Sequence, residues 1–468
     1  MSQITIDFDN NLTYPDIVIP LVHSSEDEAG ENYKNNQSEI QQTSVYGIMT
    51  PLIKINNIVI DFTDVIDFSL KSKYNLPSLS ITVRDKYDLI KQFDVPGSDN
   101  VVQVQILPRF DNAYKKINLM FYLSNIRNNN GFITATGIYK LPKLTASNYK
   151  SFGEINTYDL FSEIAKDTKL GLATNIEAND SDKRFVYCDY KSYLDIMDYE
   201  ITHAGYDLQI CDYWIDFWNN INLVDIYERY NAIDPDDQLK IWVSGQNKEI
   251  TEGNKPVPIQ IHAILNNHPG LQNTELYIQK YERVNKTGQQ SSNGTDRVYS
   301  SFNMNNNEYQ DYLIQDGDVK EDIFTKFEYV GECYGETDYF LTERKRKDLL
   351  QKIAIETIEV TLNTPLLALM RGHKINMTWY INDSKYDNKQ ENLKEDGVIQ
   401  DVETVVQTDQ STETISNPDN GHFVEDKSVC GQYLITSCDM KYSNNEWNYI
   451  LTLSRPASHK PQIIKEEK

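Results

Sequence analysis

Polar and apolar residues alternate with a period of two from about residue 45 to residue 144. The alternation is divided into short runs, which are 53–55, 58–60, 65–70, 79–83, 101–106, 117–123 and 132–139. A helical stretch from Tyr87 to Phe93 interrupts them. Many short strands at such spacing are typical of a barrel or sandwich. The pattern therefore predicts a first β-barrel domain over residues 45–150.

The period becomes helical twice between Ser151 and Ile226. Thr157 is predicted to cap the first helix, and Leu170–Gly171 to end it. Ser192 opens the second helix, where Asp195 completes a capping-box pattern. Asp195, Asp198 and Glu200 are expected on its solvent side. Strands at Trp214–Trp218 and Ile221–Val224 flank an Asn219–Asn220 turn, which predicts an α/β module with extended loops over residues 151–345.

Alternation returns in the C-terminal part of the chain. Ile355–Leu362 reads as a strand, and Gly431–Thr436 and Trp447–Arg455 read as strands joined by a turn at Asn444–Asn445. Gly372 is expected in a tight backbone turn. These elements predict a second β-barrel domain over residues 346–457. The predicted fold is therefore mixed α+β and β-dominated, with two small barrels flanking the α/β module.

Long polar stretches separate or extend these elements. An N-terminal strand and flexible polar segment occupy residues 1–44, and a charged tail occupies residues 458–468. Residues 24–43, 285–307 and 383–426 have little hydrophobic periodicity, so they are predicted to be loops, the first and last of them acidic and the middle one an exposed arm.

Charge and cysteine usage narrow the class of protein. The 468 residues contain 45 Lys and Arg against 70 Asp and Glu, for a net charge of −25. Such a balance disfavours tight wrapping of nucleic acid, because phosphate binding needs basic clusters. Five scattered cysteines indicate free thiols. The beginning of the chain does not have the pattern of a signal peptide, and no apolar run is long enough to span a bilayer.

The sequence lacks the common catalytic and cofactor motifs. No phosphate-binding loop, dinucleotide fingerprint, zinc-protease motif or nucleophile elbow is present, so we expect neither enzyme activity nor a cofactor. Asp180–Ser181–Asp182 begins like a calcium loop, but Arg184 follows where a ligand should lie. The carboxylate pairs Asp195/Asp198 and Asp212/Asp216 could serve a glycosidase, but sequence does not show the required separation of the carboxyl groups, and solvated faces are the preferred explanation.

Two groups of residues are candidates for an interface. Trp214, Phe217 and Trp218 could anchor a partner, stack on a sugar or belong to the core. A dense basic cluster contains Arg344, Lys345 and Arg346, and Arg371 precedes the turn glycine. The cluster could contact a phosphate or an acidic partner, while its alternative is a solvated helix face, and Arg371 is a further candidate for the interface.

Several runs resemble one family of assembly proteins. They are Tyr149–Phe152 followed by Tyr158–Phe161, Leu170–Asn175 with a later Asp180, the Leu366–Met377 element and the final hairpin. Together they resemble baseplate hub proteins of contractile-tailed bacteriophages, and they are similar to the hub part of type VI secretion spike proteins.

The resemblance implies a structural virion protein that is assembled in the host cytoplasm. It would be a homotrimer that adapts the hexameric tail tube to a trimeric spike, with tape-measure and other baseplate proteins as further partners. DNA would pass its channel without specific binding. We also expect the two barrels to share one topology. The alternatives are a carbohydrate-binding or carbohydrate-degrading tail protein using Trp214–Trp218, and the hub of a secretion or injection system.

Overall fold

The structure, a computed structural model, describes the chain in stretches separated by gaps. The described residues are 18–20, 47–48, 51–56, 58–86, 88–93, 100–106, 108–109, 117–204, 209–231, 237–244, 260–266, 275–285, 296–304, 307–314, 325–333, 343, 346–347, 350–351, 353–363, 365–367, 369–382, 423–425, 429–444 and 446–456. Within them lie 26 strands and five α-helices, numbered here in chain order. The prediction of a β-dominated mixed α+β fold is confirmed in this general form.

The first ten strands precede the central module. They are β1 (Val18–Pro20), β2 (Gly47–Ile48), β3 (Leu52–Ile55), β4 (Ile58–Ile60), β5 (Val65–Ser72), β6 (Ser78–Arg84), β7 (Val101–Ile106), β8 (Pro108–Arg109), β9 (Ile117–Asn129) and β10 (Phe132–Tyr139). Helix α1 (Leu89–Phe93) lies between β6 and β7, where the sequence predicted a slightly longer helix.

The central module contains strands β11–β15 and helices α2–α5. The strands are β11 (Ser147–Ile155), β12 (Gly171–Thr174), β13 (Arg184–Ser192), β14 (Cys211–Ile215) and β15 (Asn220–Asp225). The helices are α2 (Pro142–Thr145), α3 (Thr157–Thr168), α4 (Tyr193–Glu200) and α5 (Ile226–Asn231). β1 pairs in parallel with β12, so the order β1-β12-β15-β14 forms one sheet, and β11 and β13 form a separate two-stranded ribbon.

The remaining strands follow the module. They are β16 (Asp237–Ser244), β17 (Gln260–Asn266), β18 (Glu275–Asn285), β19 (Asp296–Asn303), β20 (Glu308–Ile314), β21 (Thr325–Cys333), β22 (Glu356–Leu362), β23 (Lys374–Asn382), β24 (Phe423–Glu425), β25 (Gly431–Ser443) and β26 (Glu446–Arg455). β19 lies within the stretch predicted to be an exposed arm, so that prediction is wrong for residues 296–303. The polar stretch 24–43 lies outside the described residues, as does 383–426 apart from β24.

One sheet of fifteen strands connects the two ends of the chain. Its order is β24-β23-β16-β17-β18-β22-β26-β25-β5-β6-β10-β9-β7-β3-β4, with a further pairing of β23 with β25. Because β23 also pairs with β25, seven strands form a closed circuit of pairings, in the order β23-β16-β17-β18-β22-β26-β25. β5 joins β25 in antiparallel register from Cys438↔Ser72 to Ser443↔Asp67.

The same order of five strands occurs twice. In the first unit, β5-β6-β10-β9-β7, each neighbour is antiparallel to the next. In the second unit, β18-β22-β26-β25-β23, each neighbour is also antiparallel to the next. In both units the first two strands of the sheet come first along the chain, and the other three follow in the reverse of their order in the sheet. The units differ beyond this ladder, because β3 is antiparallel to β7 whereas β16 is parallel to β23.

Alternating burial explains why these segments form strands. In β10 every second residue is buried, and Ile133, Ala135 and Tyr139 point into the core. The two central helices pack on this framework through their apolar faces, with Leu160, Phe161, Ile164 and Met197 buried. Burying a Leu, Ile or Phe side chain contributes about 1.5–3 kcal/mol, so this repeated alternation outweighs local propensity.

Helix ends depart from the predictions in two places. Asn156, rather than Thr157, caps α3 by accepting from the Asp159 amide, and Lys169 adopts the left-handed conformation that ends it. The Ser192–Asp195 capping box of α4 is confirmed. Glu200 was expected in water, but it is buried and pairs with Arg184 at 2.6 Å. Burial of that glutamate is tolerated because the guanidinium neutralises it.

Candidate functional site

The predicted aromatic residues lie on the hairpin formed by β14 and β15. Asn219 takes a positive φ of 62°, as the turn prediction requires. The Asp216 carboxylate accepts from the amides of Trp218 and Asn220 at 2.8 and 2.9 Å, and from the Asn220 side chain at 2.9 Å. Burial raises the pKa of Asp216, although these hydrogen bonds oppose the rise. Asp216 therefore shapes the turn that presents Trp218.

Asp212 on β14 is held between two arginines that come from distant parts of the chain. Arg346 Nη2 lies 2.8 Å from Oδ1, and Arg371 Nη2 lies 3.2 Å from Oδ2. Arg346 also donates to the Cys211 carbonyl at 2.8 Å, and Arg371 to the Tyr74 carbonyl at 2.9 Å. We call Asp212, Arg346 and Arg371 the arginine clamp. It fastens β14 to the first unit and to the segments before β22 and β23.

The clamp is largely withdrawn from water. The side chains of Arg346, Asp212 and Arg371 are 20%, 16% and 11% exposed. Burial lowers the pKa of Arg371, and the neighbouring Asp212 charge opposes this by favouring the guanidinium. Because removing one partner of a buried pair leaves an uncompensated charge, the three residues are interdependent.

Trp214 and Gly372 complete the same contact. The Arg371 guanidinium lies 4.6 Å from the centre of the Trp214 ring. Gly372 has a φ of +90°, and a Cβ placed there would lie 2.6 Å from Trp214 Cζ2. The Gly372 carbonyl accepts from Arg229 Nε at 2.9 Å, and its amide donates to the Ile435 carbonyl at 2.8 Å. Only glycine satisfies both the backbone angle and the close approach.

A small cleft opens beside these residues. It is lined by Ser72, Trp214, Asp216, Phe217, Trp218, Asn222, Met370, Arg371, His373 and Cys438. Its volume of about 70 Å³ suits a few water molecules rather than a sugar ring. Trp214 is 2% exposed and Phe217 is 1% exposed, so neither ring is available for stacking on a carbohydrate. Trp218 remains half-buried at the rim.

The structure therefore brings five of the seven candidate interface residues together. Arg346, Arg371 and Trp214 form one contact, and Phe217 and Trp218 follow at the next turn. Arg344 and Lys345 lie outside the described residues. The side chains of Arg346 and Arg371 are engaged within the chain, so the candidate set describes an internal junction. Its role toward an external partner stays a prediction.

Other predicted carboxylates also have structural partners. Asp195 caps α4, and Asp198 accepts from the Tyr213 hydroxyl and from Asn75 Nδ2, the latter at 2.6 Å. Asp182, considered for calcium, lies 3.0 Å from Arg184 and accepts from the Thr157 amide. Among the residues that the structure describes, no group of three or more His, Cys, Asp or Glu is arranged to hold a metal ion.

The described part of the chain contains no helix with the length and apolarity needed to cross a membrane. Cys188, Cys211, Cys430 and Cys438 are free thiols, as predicted, and nothing is described for the side chain of Cys333. Burial raises the pKa of the Cys438 thiol to about 11.

Sequence reasoning missed the arginine clamp as a unit. Asp212 was considered as half of a catalytic pair with Asp216, whereas its partners are Arg346 and Arg371. The ion pair of Glu356 with Arg455 was also missed. No local pattern signals such contacts, because the partners are brought together only by the order of strands in the sheet.

No protein-family model matches the chain, and no curated protein matches it. Solved structures with a similar arrangement include the tail protein from Neisseria meningitidis MC58, at 8% identity and a TM-score of 0.47, with 88% of this chain and 97% of that one covered. The 43 kDa tail protein of prophage MuSo2 from Shewanella oneidensis gives the same identity and score, with 88% and 99% covered.

A third similar structure is the E. coli c3393 protein, which is a component of the type VI secretion system. It is 9% identical with a TM-score of 0.37, and the alignment covers 87% of this chain and 77% of that protein. Scores below 0.5 at such identities are too low to assign a function by likeness.

Proposed function

We propose that this chain is a structural hub of a phage-like tail or baseplate, which forms a homotrimer and adapts a hexameric tube to a trimeric spike. The repeated order of five strands carries the proposal. Two units with the same ladder occur in one chain, and they are joined where β5, an edge strand of the first unit, pairs with β25, which lies between β26 and β23 in the second. A chain with one such unit could not present six similar surfaces with threefold symmetry.

The two repeated units would allow a trimer to match a sixfold partner. Closed rotational symmetry is the rule for homo-oligomers, and three copies of a two-unit chain supply six similar units around the axis. A sixfold partner could then make nearly equivalent contacts with every unit. The central module and its loops occur only once per chain, so they would keep threefold character and suit a trimeric spike.

The pairings also support a barrel for the second β region. β23 contacts both β16 and β25, which makes the seven-strand circuit continuous, and full closure removes exposed sheet edges. In the first β region β4 is the last strand of the described pairings. We propose that this region completes its wall with its own connecting segments or with a neighbouring copy.

Charge supports a passage for DNA rather than a binding surface. The net charge of −25 leaves few cations for phosphates, and a basic channel would retain DNA by neutralising them. We expect the inner wall of the trimer to be neutral or acidic. The same protein in a secretion or injection apparatus would need no DNA passage, so a strongly basic wall would contradict the passage of DNA and favour that alternative.

The mass of the particle in solution tests the proposal. Light scattering of the purified chain is expected to give three times the 54.2 kDa of one chain, either for the chain alone or, with the cognate spike, after the mass of the spike is subtracted. Monomer in both samples would overturn the trimer. A reconstruction of the trimer then tests the pseudo-sixfold ring, since the two units must lie at the same radius and height.

We also propose that the chain is not a hydrolase. The carboxylates of Asp212 and Asp216 are engaged in an arginine clamp and a turn, so this pair does not present an acid and a base to a sugar. No release of reducing sugar is expected from peptidoglycan or capsular polysaccharide. Turnover that disappears in Asp216→Asn would contradict this and favour the carbohydrate-degrading alternative.

A further inference from the structure

The most exposed aromatic cluster of the described residues lies on the two-stranded ribbon of β11 and β13. Tyr149, Phe185, Tyr187 and Tyr190 are 77%, 67%, 58% and 74% exposed. We call these four residues the aromatic face. The ring centres of Tyr149 and Tyr190 are 5.4 Å apart, and those of Phe185 and Tyr187 are 6.3 Å apart. Exposed apolar clusters of this kind mark interaction sites.

Strand register places two carboxylates on the same side of the ribbon. Tyr149 pairs with Asp189, and Glu154 pairs with Phe185, so each acid lies beside an aromatic ring. Both acids are exposed. Residues paired across strands point to the same side of the sheet, and Phe185 and Asp189 are four residues apart on one strand. The two acid–ring pairs are therefore about 13 Å apart at roughly 3.3 Å per residue.

The opposite side of the ribbon is firmly fixed. Val186 and Cys188 are buried there. Lys150 lies 2.6 Å from Asp167 and 3.2 Å from Glu163 on α3, while the Tyr193 hydroxyl donates to Asp167 at 2.9 Å. The aromatic face is thus presented on a rigid support, which lowers the entropy lost when a partner binds.

Neighbouring cations have their closest partners elsewhere. Lys183 pairs with Asp180 at 2.8 Å, and Glu154 contributes least to the rise in the pKa of Lys183, after Asp180 and Asp159. Lys191 lies over the Tyr199 ring at 5.5 Å. Lys150 belongs to the opposite side. The aromatic face therefore combines π-faces with two negative charges, and aromatic faces and carboxylates both attract cations.

We propose that the aromatic face binds a protein partner that presents two Lys or Arg side chains about 13 Å apart, one beside Glu154 and Phe185 and the other beside Tyr149 and Asp189. In an extended segment, that separation corresponds to residues i and i+4, which lie on one side of a strand. Charge complementarity selects this occupant over a second copy of the chain, which carries the same −25. The inference does not depend on the proposed tail function.

Photo-cross-linking tests the proposal, because it records weak complexes. Ser151 is exposed and pairs with Tyr187 between the two acid–ring pairs, so p-benzoylphenylalanine in place of Ser151 reports on bound peptides. The probes are three Ser/Thr peptides with arginines at i and i+4, arginines at i and i+1, or glutamates at i and i+4. The full chain is used throughout.

The expected cross-linking yield is about fivefold higher for the i and i+4 arginine peptide than for either other peptide. Glu154→Gln with Asp189→Asn should remove most of this preference, and Phe185→Ser should lower it. The matched controls are Asp67→Asn with Glu446→Gln, which removes equal charge from exposed sites elsewhere, and Tyr309→Ser, which removes another exposed ring. Neither control should change the yield.

Four outcomes would overturn the proposal. Equal loss in the charge control would show general attraction to an acidic protein. Equal yields for the arginine and glutamate peptides would show that the carboxylates select nothing. Cross-links chiefly between copies of the chain, or yields blocked by an N-acetylglucosamine oligomer, would assign the aromatic face to self-association or to sugar. Unchanged circular dichroism verifies that each variant is folded.

Discussion

At the same end of the same ladder, the first unit pairs Ser78 with Ile138 and the second pairs Glu356 with Arg455. Ile138 is 57% exposed, whereas Glu356 and Arg455 are 7% and 9% exposed. Arg455 Nε lies 2.5 Å from Glu356 Oε2, and its Nη1 donates to the Cys430 carbonyl at 2.7 Å. The first unit forms the same strand order with no ion pair at this position, so the pair in the second unit serves a local purpose.

That purpose is the covering of the ladder end. Val429 and Cys430 directly precede β25, and Arg455 donates to both of their carbonyls. The Arg455 guanidinium also lies 4.8 Å from the centre of the Tyr433 ring. The corresponding end of the first unit is open to water. The comparison teaches that apolar alternation sets the strand order, while buried charges fix the segments that cross it.

Connections between strands differ even more than the ladder ends. Residues 73–77 join β5 to β6, whereas residues 286–355 join β18 to β22 and carry the separate sheet β20-β19-β21. Loop closure costs only about 0.6 kcal/mol for each doubling of length, so the longer connection adds about 2 kcal/mol. A ladder of this kind accepts large insertions without losing its order.

The largest expected effect comes from breaking the ion pair. Glu356→Ala should lower the free energy of unfolding by about 3 kcal/mol, because Arg455 stays buried without its partner. Ser78→Ala, at the equivalent place in the first unit, should change it by less than about 0.5 kcal/mol. Urea unfolding of both variants measures the difference.

The double variant Glu356→Leu with Arg455→Met sharpens this test, since it removes the buried Arg455 charge together with its partner. Arg283, whose side chain is 35% exposed and lies 3.3 Å from Glu356 Oε1, also loses the carboxylate, but water can solvate its charge. The double variant should recover most of the lost stability. Equal destabilisation by Glu356→Ala and Ser78→Ala would contradict the assigned role of the pair.

The second prediction uses two glycines with positive φ, one at the hairpin of the first unit and one before β23. Gly131 has a φ of +79°, and no atom lies within 4 Å of the position that a Cβ would take there. Gly372 has a φ of +90° and faces Trp214. Gly131→Ala should cost about 1 kcal/mol for the backbone angle alone. Gly372→Ala should cost about 3 kcal/mol, because overpacking adds to that strain.

Thermal or urea unfolding of the two variants separates the cost of the positive φ angle from the cost of the clash between the new Cβ and Trp214. Trp214→Leu should be less harmful in the Gly372→Ala background than in the natural chain, because the smaller side chain relieves the clash. Additive effects of the two substitutions would contradict the close approach of Gly372 to the ring.

Particular residues show how far sequence reasoning reaches. The alternation in β10 and the Ser192–Asp195 capping box are local, so both were predictable. Glu200 was misplaced because its partner Arg184 lies on another element, and helix position alone favours solvent for a glutamate. The clamp on Asp212 depends on strand order, which no local period encodes.

The third prediction concerns the pairing that joins the units. Asp439 on β25 accepts from Ser69 Oγ of β5 at 2.7 Å and lies 3.3 Å from Lys71 Nζ. Because Lys71 is half exposed, Asp439→Ala should cost only about 1 kcal/mol. Asp67→Ala, an exposed site on the same pairing, serves as the control and should be nearly neutral in urea unfolding. Equal effects would show that Asp439 adds nothing to the join.

The smallest effect on stability, and the most informative one about cooperativity, concerns Cys438. Burial raises the pKa of this thiol to about 11, and Cys438 pairs with Ser72 across the join of the two units. A thiol in the unfolded chain ionises near about 8.5. Stability contributed by the protonated thiol is therefore complete below about pH 8.5 and declines as pH rises toward 11.

The thiolate is the form that alkylates, so iodoacetamide at pH 8 should leave Cys438 unmodified in the folded chain. Half-buried Cys430 should react sooner, as peptide mass spectrometry can measure. The first unit contains no cysteine. The effect of a substitution in the first unit on the second can therefore be measured as the rate at which Cys438 is labelled. Ile81→Ala should destabilise the first unit by at least about 2 kcal/mol.

If the two units unfold together, Ile81→Ala should speed Cys438 labelling about 30-fold, since each 1.4 kcal/mol changes the open population by about tenfold. We expect this coupling because the six paired positions from Cys438↔Ser72 to Ser443↔Asp67 tie β25 to β5. Labelling that stays unchanged while urea unfolding shifts would mean that the units open separately. The pairing of β5 with β25 would then be a docking contact between independent folding units, and the shared ladder would be a repetition without a shared core.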